Sequence, residues 1–416
     1  MTQLSENCFA DAGSQLTVEE AQRLITGNVA PVEGVERVVL ADACRRVLAE
    51  DVLSPCDLPP FDNSAVDGYA VRIADLDNAG RLPIEGTLAA GAAAVGPLQP
   101  GTACRVLTGA AIPSGADTVF MQEDVHVNED RTVTLPAGLR RGANLRRAGE
   151  DVACGALALP RGRRLRAQDL ALAAALGLRD LPVRRRVRVA LFSTGNEIVE
   201  PGSPLGPAQR YDSNRTLLAS LVKAAGATVT DLGILPDQAV ATRRAIMDAV
   251  AGHDVILTSG GVSAGDEDHV RAVLKESGQL VFWRLAIKPG RPVAMALVGG
   301  VPAVGLPGNA VAAFVTFLHV VRPLLAALAG MAVPAVPTVP VVAGFSYRKK
   351  AGRREFMGVR LETGPDAVPV AYKHSRDGSA ALTSLTETDG LVALPESATA
   401  VAPGDSLRFI PYELLL

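Results

Sequence analysis

The sequence predicts a multidomain protein of the α/β and β classes: an N-terminal two-lobed α+β region, a central doubly wound parallel sheet and a C-terminal small β-barrel. Its 416 residues, 48% of them hydrophobic, can form several buried cores. Strand and helix patterns alternate over residues 187–328, which is typical of a parallel sheet covered by helices. Short β runs separated by turn residues follow residue 334, which is typical of a barrel.

Residues 1–181 are predicted to form the two-lobed region, with a β-rich lobe at about 55–150. Thr17 is a suitable N-cap for the helix that begins with VEEAQRLI. Beyond that helix, β-like runs at residues 104–108 and 118–121 are interrupted by many glycines and prolines. This mixture indicates an α+β fold.

Residues 182–332 are predicted to form the central α/β domain. VRVALF, TVTDLGIL and DVILT have the character of buried strands, and helices are expected at SNRTLLASLVKAAG and near residues 239–250. Ligands of a doubly wound sheet bind at the carboxyl ends of its strands. Residues 333–416 form the predicted barrel, from the runs VVAGF, EFMGVRL, VPVAY, LVAL and SLRFI.

The composition argues against several classes of protein. A formal net charge of −3 and an aromatic content of 4% disfavour nucleic-acid binding, although residues 161–166 and 184–188 form basic clusters. The five cysteines are scattered without a C-x-x-C pair, so neither disulfides nor a structural zinc site is expected. The N-terminus lacks the apolar core of a signal peptide, and glycines and prolines interrupt the apolar stretch 293–321. We therefore expect a cytoplasmic enzyme with no membrane or nucleic-acid partner.

The segment DVILTSGGVSAGDEDHV, residues 254–270, predicts a strand that ends in a glycine-rich turn before a helix. Backbone amides at Gly260, Gly261 and Gly265 can bind an anion beside the helix N-terminus. Acids in the same turn would repel a bare phosphate, so a Mg²⁺ ion between phosphate and carboxylate is expected. A glycine-rich turn capped by aspartate, without any ligand, explains the pattern equally well.

Two further turns follow predicted strands: STGNE, which contains Glu197, and LPGN, which contains Pro307 and Gly308. All three turns are expected to converge on one crevice. The neighbouring loop AIKPGRP presents Lys288 and Arg291 on a backbone fixed by prolines, which suits a tetrahedral oxyanion; an exposed turn with solvated charges is the alternative. The segments around residues 67 and 151 are as consistent with plain turns as with a site.

The motifs FDNSAVDGYAV, GEDV, ALFSTGNE, YDSN, SGGVSAGDEDHV, AIKPGRPV and GLPGN occur along nearly the whole chain. In this order and spacing they resemble the molybdopterin molybdenumtransferase (MoeA-like) family, whose animal relative is the E domain of gephyrin. The resemblance implies an enzyme that takes molybdate and adenylylated molybdopterin and, with Mg²⁺, releases AMP and molybdenum cofactor. It also implies a homodimer with a shared active site, and it suggests molybdopterin adenylyltransferase and molybdoenzyme maturation proteins as partners.

The same resemblance, carried over motif by motif, implies the site residues. The catalytic acids are Asp67, Glu197, Asp237 and Asp268, of which Asp268 and Glu197 are also the metal ligands. The residues that bind cofactor or substrate are Thr108, Asp151, Ser259, Gly260, Gly261, Ser263, Lys288, Arg291, Pro307, Gly308, Arg353 and Ser379.

This chain departs from the family pattern at four positions. Ala310 and Ala312 replace the usual proline and serine, Arg284 stands where some members have lysine, and Gly358 occupies a place where arginine is frequent. These departures bear on molybdate affinity more than on the type of reaction.

Two other functions stay open. One is molybdopterin adenylylation, against which the DNSAVDGYAV and C-terminal segments argue. The other is a non-enzymatic scaffold like gephyrin, against which the acids retained at the site turns argue.

Overall fold

A computed structural model describes residues 15–76, 80–92, 96–262, 269–364, 367–376, 378 and 380–415. The chain divides into two compact units. The smaller unit comprises Arg37–Cys44 and Glu50–Pro182. The larger unit comprises Met1–Glu36, Arg45–Ala49 and Val183–Leu416.

The α-helices of the described residues include several that were expected from the sequence. Thr17 caps the first helix as predicted, because its hydroxyl accepts the Glu20 N–H at 3.2 Å and the Glu20 carboxylate returns to the Thr17 N–H at 2.8 Å. The helices are α1 (Val18–Asn28), α2 (Ala167–Ala175), α3 (Asn214–Ala224), α4 (Ala239–Val250), α5 (His269–Ser277), α6 (Ala310–Thr316), α7 (Arg322–Leu328) and α8 (Thr383–Thr386).

The smaller unit contains a six-stranded sheet in the order β7-β4-β6-β5-β9-β8, in which β5 and β6 are parallel and the other pairs antiparallel. Buried Tyr69, Phe120 and Val133 belong to the cluster that covers one face. The first strands of the chain are β1 (Val35–Val39), β2 (Val52–Leu53), β3 (Asn63–Ser64), β4 (Gly68–Val71), β5 (Arg81–Leu88), β6 (Ala103–Val106), β7 (Thr118–Met121), β8 (His126–Val127), β9 (Thr132–Thr134), β10 (Leu145–Arg146), β11 (Leu157–Leu159) and β12 (Asp180–Arg184).

The larger unit contains the central sheet, in the order β16-β13-β17-β21-β20-β18. Its strands and their neighbours are β13 (Arg188–Thr194), β14 (Ile198–Val199), β15 (Arg210–Tyr211), β16 (Thr228–Leu235), β17 (Val255–Ser259), β18 (Gln279–Trp283), β19 (Ile287–Lys288), β20 (Ala294–Val298) and β21 (Val301–Leu306). The pairs among β16, β13, β17 and β21 are parallel, as predicted.

One strand, β20, runs against the others and corrects the expectation of an entirely parallel sheet. β20 pairs with β21, and β18 with β20, in antiparallel directions, so the sheet is mixed. The physical reason is the two-residue loop Gly299-Gly300, in which both residues have positive φ (57° and 84°). Such a loop closes a tight antiparallel hairpin and leaves no room for a crossover helix.

The helical segment Ala310–Leu328 lies in the core of the larger unit. It comprises α6, a π-helical stretch Phe317–Val321 and α7. This segment of 19 residues is long and apolar enough to cross a membrane, with a mean hydropathy of 1.9 over its most apolar stretch. However, 83% of that stretch is buried inside the protein. The apolarity of the segment is therefore accounted for by packing against the sheet and α1.

The C-terminal strands form a small closed barrel, as predicted. They are β22 (Val339–Ala343), β23 (Tyr347–Arg348), β24 (Arg354–Thr363), β25 (Pro369–Lys373), β26 (Gly390–Leu394), β27 (Ala400–Val401) and β28 (Ser406–Pro411). The order β24-β25-β22-β28-β26 closes because β26 pairs back with β24. β19 lies parallel to β24, with Lys288 opposite Glu355, and this pairing brings the proline-rich loop to the barrel.

Candidate active site

Three turns meet at the carboxyl ends of β13, β17 and β21 in the larger unit, where the sequence predicted a crevice. Asn214, the first residue of α3, links two of them. Its side-chain amide donates to Ser259 Oγ at 2.8 Å and to Gly308 O at 2.9 Å. Asn214 is 6% exposed and its bond to Ser259 is buried, so the two bonds hold the turns at a fixed spacing.

The two adjacent glycines after β17 are required by close approach of the backbone. Gly260 and Gly261 have φ of 89° and 68°. A Cβ at Gly260 would lie 2.7 Å from Thr194 O, and one at Gly261 would lie 2.4 Å from Val270 Cγ2. The Gly260 N–H donates to Leu306 O at 3.0 Å, so this amide is not free to bind an anion as the sequence suggested.

The turns enclose a cavity of 220 Å³, which we call the turn cavity. Ser259, Gly260 and Gly308 contribute to its lining, together with Thr194 and Glu197. Ala310, one of the departures from the family pattern, lines it as well. Hydroxyl, amide and carboxylate groups thus face a space small enough to hold a polar substituent of a larger ligand.

Two predicted acids lie at the rim of this crevice. The Glu197 carboxylate accepts a hydrogen bond from Arg210 at 2.9 Å and is 47% exposed. Asp237 accepts a hydrogen bond from the Thr194 hydroxyl at 3.2 Å. Within the described residues, no group of three or more His, Cys, Asp or Glu side chains is arranged to hold a metal ion. Asp268, Ser263 and Ser379 lie outside the described residues.

A second cavity of 370 Å³, the cation cavity, lies beside the first, and Asn309 lines both. Its lining brings together Lys288, Arg291 and Arg353, which the sequence predicted as oxyanion ligands from segments far apart in the chain. Pro307 is also in the wall, as are His374 and Arg376, which were not predicted. Most of the charge in this lining is positive, which suits an anionic ligand.

Lys288 is not a free cation. Its ammonium group lies 3.2 Å from Glu355 Oε2 and 3.1 Å from the Tyr347 hydroxyl, which in turn donates to Glu355 Oε2 at 2.9 Å. Burial disfavours the charged ammonium, but the hydrogen bonds with Tyr347 and Glu355 outweigh it and raise the pKa of Lys288. Lys288 therefore stays protonated at neutral pH and shares its charge with an internal carboxylate.

The other departures from the family pattern have distinct surroundings. Ala312 and Gly358 both line the cation cavity. A Cβ at Gly358 would lie 2.7 Å from Ser384 O, so the backbone leaves no room for a side chain there. Arg284 has φ of 86°, and its backbone groups bond to Leu16 and Val293.

Three predicted residues lie in the smaller unit. Asp67 Oδ1 accepts both the N–H and the hydroxyl of Thr108, each at 2.7 Å. These two bonds lower the pKa of Asp67, so the carboxylate is charged at neutral pH. Asp151 follows the turn at Gly149 and has an exposed side chain, and its N–H donates to Leu58 O at 3.0 Å.

Comparison with known proteins shows to which family this chain belongs. Residues 16–177 match the model of the MoeA N-terminal region (domain I and II), residues 190–327 that of a probable molybdopterin binding domain, and residues 340–412 that of the MoeA C-terminal region (domain IV). A molybdopterin molybdenumtransferase of Haemophilus influenzae is 36% identical over 402 residues, covering 96% of this chain and all of that protein. This chain belongs to the MoeA family.

Other MoeA relatives support the same assignment. Molybdopterin molybdenumtransferase 2 of Mycobacterium tuberculosis is 37% identical over 408 residues, covering 94% of this chain and 98% of the relative. The crystal structure of a MoeA protein from Pyrococcus horikoshii covers 96% of this chain at 29% identity with a TM-score of 0.82. The chain is accordingly a molybdopterin molybdenumtransferase, an enzyme of molybdenum cofactor biosynthesis.

Sequence reasoning missed several residues of this MoeA site. Asn214 lies in the motif YDSN, which indicates the family but not a role for this residue. Glu355 follows the predicted ligand Arg353 by two residues, and both residues line the cation cavity. That spacing was a usable signal for Glu355, whereas no local pattern pointed to Tyr347 or His374.

Proposed function

We propose that this MoeA protein inserts molybdenum from molybdate into adenylylated molybdopterin and releases AMP and molybdenum cofactor in a Mg²⁺-dependent reaction. The observation that carries the proposal is the adjacency of two unlike cavities. One is lined by the turns at the strand ends, the other by Lys288, Arg291 and Arg353, and Asn309 belongs to both. A pterin phosphate and a tetrahedral dianion can therefore be bound side by side.

The cation cavity is the proposed site of molybdate. Guanidinium groups donate in a fixed planar fork, which suits a tetrahedral oxyanion. Among the described residues, neither Arg291 nor Arg353 makes a hydrogen bond or ion pair that would occupy its guanidinium group. Both guanidinium groups can thus bind the substrate directly. Lys288 contributes a positive charge that it shares with Glu355.

The turn cavity is the proposed site of the phosphate side of the adenylylated pterin. The Ser259 hydroxyl, Gly260 and Gly308 form part of its wall, and Asn214 holds two of the turns together. Pro307, which precedes Gly308, lines the neighbouring cation cavity. Gly261, which follows Gly260, and Ser263 are proposed to bind the same phosphate. Because no side chain needs to form a covalent intermediate, positioning of the two substrates supplies much of the rate.

Magnesium is the proposed metal, held by Glu197 together with Asp268. Mg²⁺ usually takes only one or two protein carboxylates and completes its shell with substrate phosphates and water, so an exposed carboxylate such as Glu197 fits this ion. When bound, the ion would neutralise charge on the phosphoanhydride. Asp237 is proposed to act nearby through its contact with Thr194.

The proposal extends to the surroundings of the enzyme. We expect it to work in the cytoplasm as a homodimer with a shared site, to which Asp67, Thr108 and Asp151 contribute from the smaller unit. Ser379 is the expected hydroxyl ligand of molybdate. Molybdopterin adenylyltransferase and molybdoenzyme maturation proteins are the expected partners, because the first would supply the adenylylated substrate and the second would receive the product.

An AMP-release assay tests this function. The purified protein is incubated with adenylylated molybdopterin, and AMP is measured by chromatography with and without molybdate and Mg²⁺. We expect release to require both, and Asp268→Asn to reduce it to background because the metal loses a charged ligand. Asp248→Asn is the control, since Asp248 is 73% exposed on α4.

Other outcomes would contradict the proposal. Unchanged AMP release by Asp268→Asn at ordinary Mg²⁺ would remove the metal assignment. Consumption of ATP with unmodified molybdopterin would instead indicate an adenylyltransferase, and no turnover of either substrate by the folded protein would favour a scaffold.

A further inference from the structure

Glu355 is the one carboxylate among the described side chains that line the cation cavity. The same wall contains Lys288, Arg291 and Arg353, and His374 and Arg376 add to it. A negative charge in this place weakens the attraction for any anion. The side chain of Glu355 is 5% exposed, so the carboxylate is also costly to bury. Because the Glu355 carboxylate is unfavourable in both respects, we expect this residue to have a role in the cation cavity.

Lys288 and Tyr347 bond to the same carboxylate oxygen of Glu355. A single oxygen, Oε2, accepts from the Lys288 ammonium at 3.2 Å and from the Tyr347 hydroxyl at 2.9 Å. The Lys288–Tyr347 distance of 3.1 Å closes the triangle. The parallel pairing of β19 with β24 places Lys288 directly opposite Glu355, so the backbone fixes the separation of the two residues.

The triangle leaves a defined donor for a ligand. An ammonium group has three N–H bonds, and contacts with Glu355 and Tyr347 occupy two of them. The third is then restricted in direction instead of rotating freely. Lys288 is 50% exposed, so the group that it presents is accessible from the cavity.

Directed donors and net charge have different effects on specificity. Molybdate and sulfate are tetrahedral dianions with the same charge, and they differ in size. Attraction to a cluster of free cations cannot distinguish them well, whereas donors fixed at particular points favour the anion whose oxygens reach those points.

We propose that Glu355, together with Tyr347, is a specificity-determining positioning residue: it orients the Lys288 ammonium and offsets its charge, so that the cation cavity selects molybdate over smaller oxyanions. This inference rests on the proposed function, because it assumes that the cavity binds molybdate. It adds a residue that acts through Lys288 without contacting the anion.

The test measures binding of sodium molybdate and sodium sulfate to the full chain by calorimetry. We expect wild type to favour molybdate. Glu355→Gln keeps the shape and removes the charge, so both anions should bind more tightly while the preference for molybdate falls about tenfold. Glu362→Gln, an exposed carboxylate on the same strand, is the charge-matched control and should leave the preference unchanged.

Two further measurements separate positioning from general damage to the fold. Tyr347→Phe removes one hydrogen bond to the Lys288 ammonium and leaves Glu355 in place. It should therefore reduce the preference for molybdate by a smaller factor than Glu355→Gln does. NMR titration of the lysine side chains, assigned with Lys288→Arg, should show a lower pKa for Lys288 in Glu355→Gln. Lys373, whose ammonium lies 5.2 Å from the Tyr347 ring centroid, is monitored in the same spectra.

The outcomes distinguish this inference from the function on which it rests. If wild type prefers molybdate and Glu355→Gln, folded by thermal melting, keeps the same preference, the inference is wrong and the proposed function stands. If neither anion binds to wild type, the oxyanion role of this cavity is wrong, although molybdate-dependent AMP release would still support the function. A lower preference with an unchanged Lys288 pKa would also overturn the positioning role.

Discussion

Gly358 shows how one residue can be fixed by its neighbours in a barrel wall. It lies in β24 opposite Leu391 of β26. A Cβ at this position would approach Ser384 O to 2.7 Å and the Thr388 side chain to 3.3 Å. Ser384 and Thr388 are themselves bonded to each other through the Thr388 hydroxyl at 2.6 Å. The arginine that is frequent at this place in the family is thus replaced by a glycine that the local backbone requires.

Substitution of Gly358 should therefore cost stability. We expect Gly358→Ala to lower the free energy of unfolding by about 1–3 kcal/mol, because the backbone oxygen of Ser384 cannot yield as a flexible side chain would. Gly358→Arg should lose more and should not raise molybdate affinity. Thermal melting measures the effect, with Gly378→Ala as the control, since a Cβ there meets nothing within 4 Å. A stable Gly358→Arg variant with tighter molybdate binding would refute this account.

Among the elements of the fold, the strands β13, β17 and β21 and the turns that follow them were predicted correctly. The apolar runs of the strands and the glycines of the turns are local signals, so the sequence was sufficient to predict both the strands and their convergence at one edge of the sheet. The reversed direction of β20 was missed, although the Gly299-Gly300 pair between two apolar runs is a hairpin signal. A prediction from the alternation of strands and helices alone, without the type of turn between them, therefore gave an entirely parallel sheet.

Other features depend on contacts between distant segments. The predicted barrel strands were recognised from alternation, but closure requires β24 to pair with β26. The neutralisation of Lys288 by Glu355 likewise depends on the pairing of β19 with β24, which are separated by more than sixty residues. A sequence pattern contains no information about such partners, because the side chains meet only after the chain has folded.

Asn214 provides a test at this scale, because it fixes the spacing of two turns. Asn214→Ala leaves the Gly308 carbonyl and the buried Ser259 hydroxyl without their donor, so we expect a loss of about 1–3 kcal/mol in unfolding free energy and lower AMP release. Asn214→Asp keeps the shape but cannot donate, and should not restore either property. Ser220→Ala on the same helix is the control, because the Ser220 hydroxyl bonds only locally to Thr216 O. Full activity of Asn214→Asp would show that shape, not donation, matters.

At the scale of the whole molecule, the predicted site residues divide between the two units. Asp67, Thr108 and Asp151 belong to the smaller unit, whereas the turn cavity and the cation cavity are built from the larger one. Asp67 is charged and held by Thr108, yet neither residue has a role in packing the core. A homodimer in which the smaller unit of one subunit completes the site of the other would give these residues a function.

Complementation between inactive variants tests this shared site. Asp67→Ala and Asp268→Asn are each expected to be inactive, and the two are unfolded and refolded together. If the site is shared, a hybrid dimer has one intact site and one with both lesions, so random pairing restores about one site in four. If each site lies within one subunit, every site in the mixture carries a lesion and no activity returns. AMP release is measured after hybrids have been confirmed by native mass spectrometry, with separately refolded parents as the control. Hybrids that are present but as inactive as their parents would place the whole site within a single subunit, since an intact Asp67 and an intact Asp268 would then always belong to different sites.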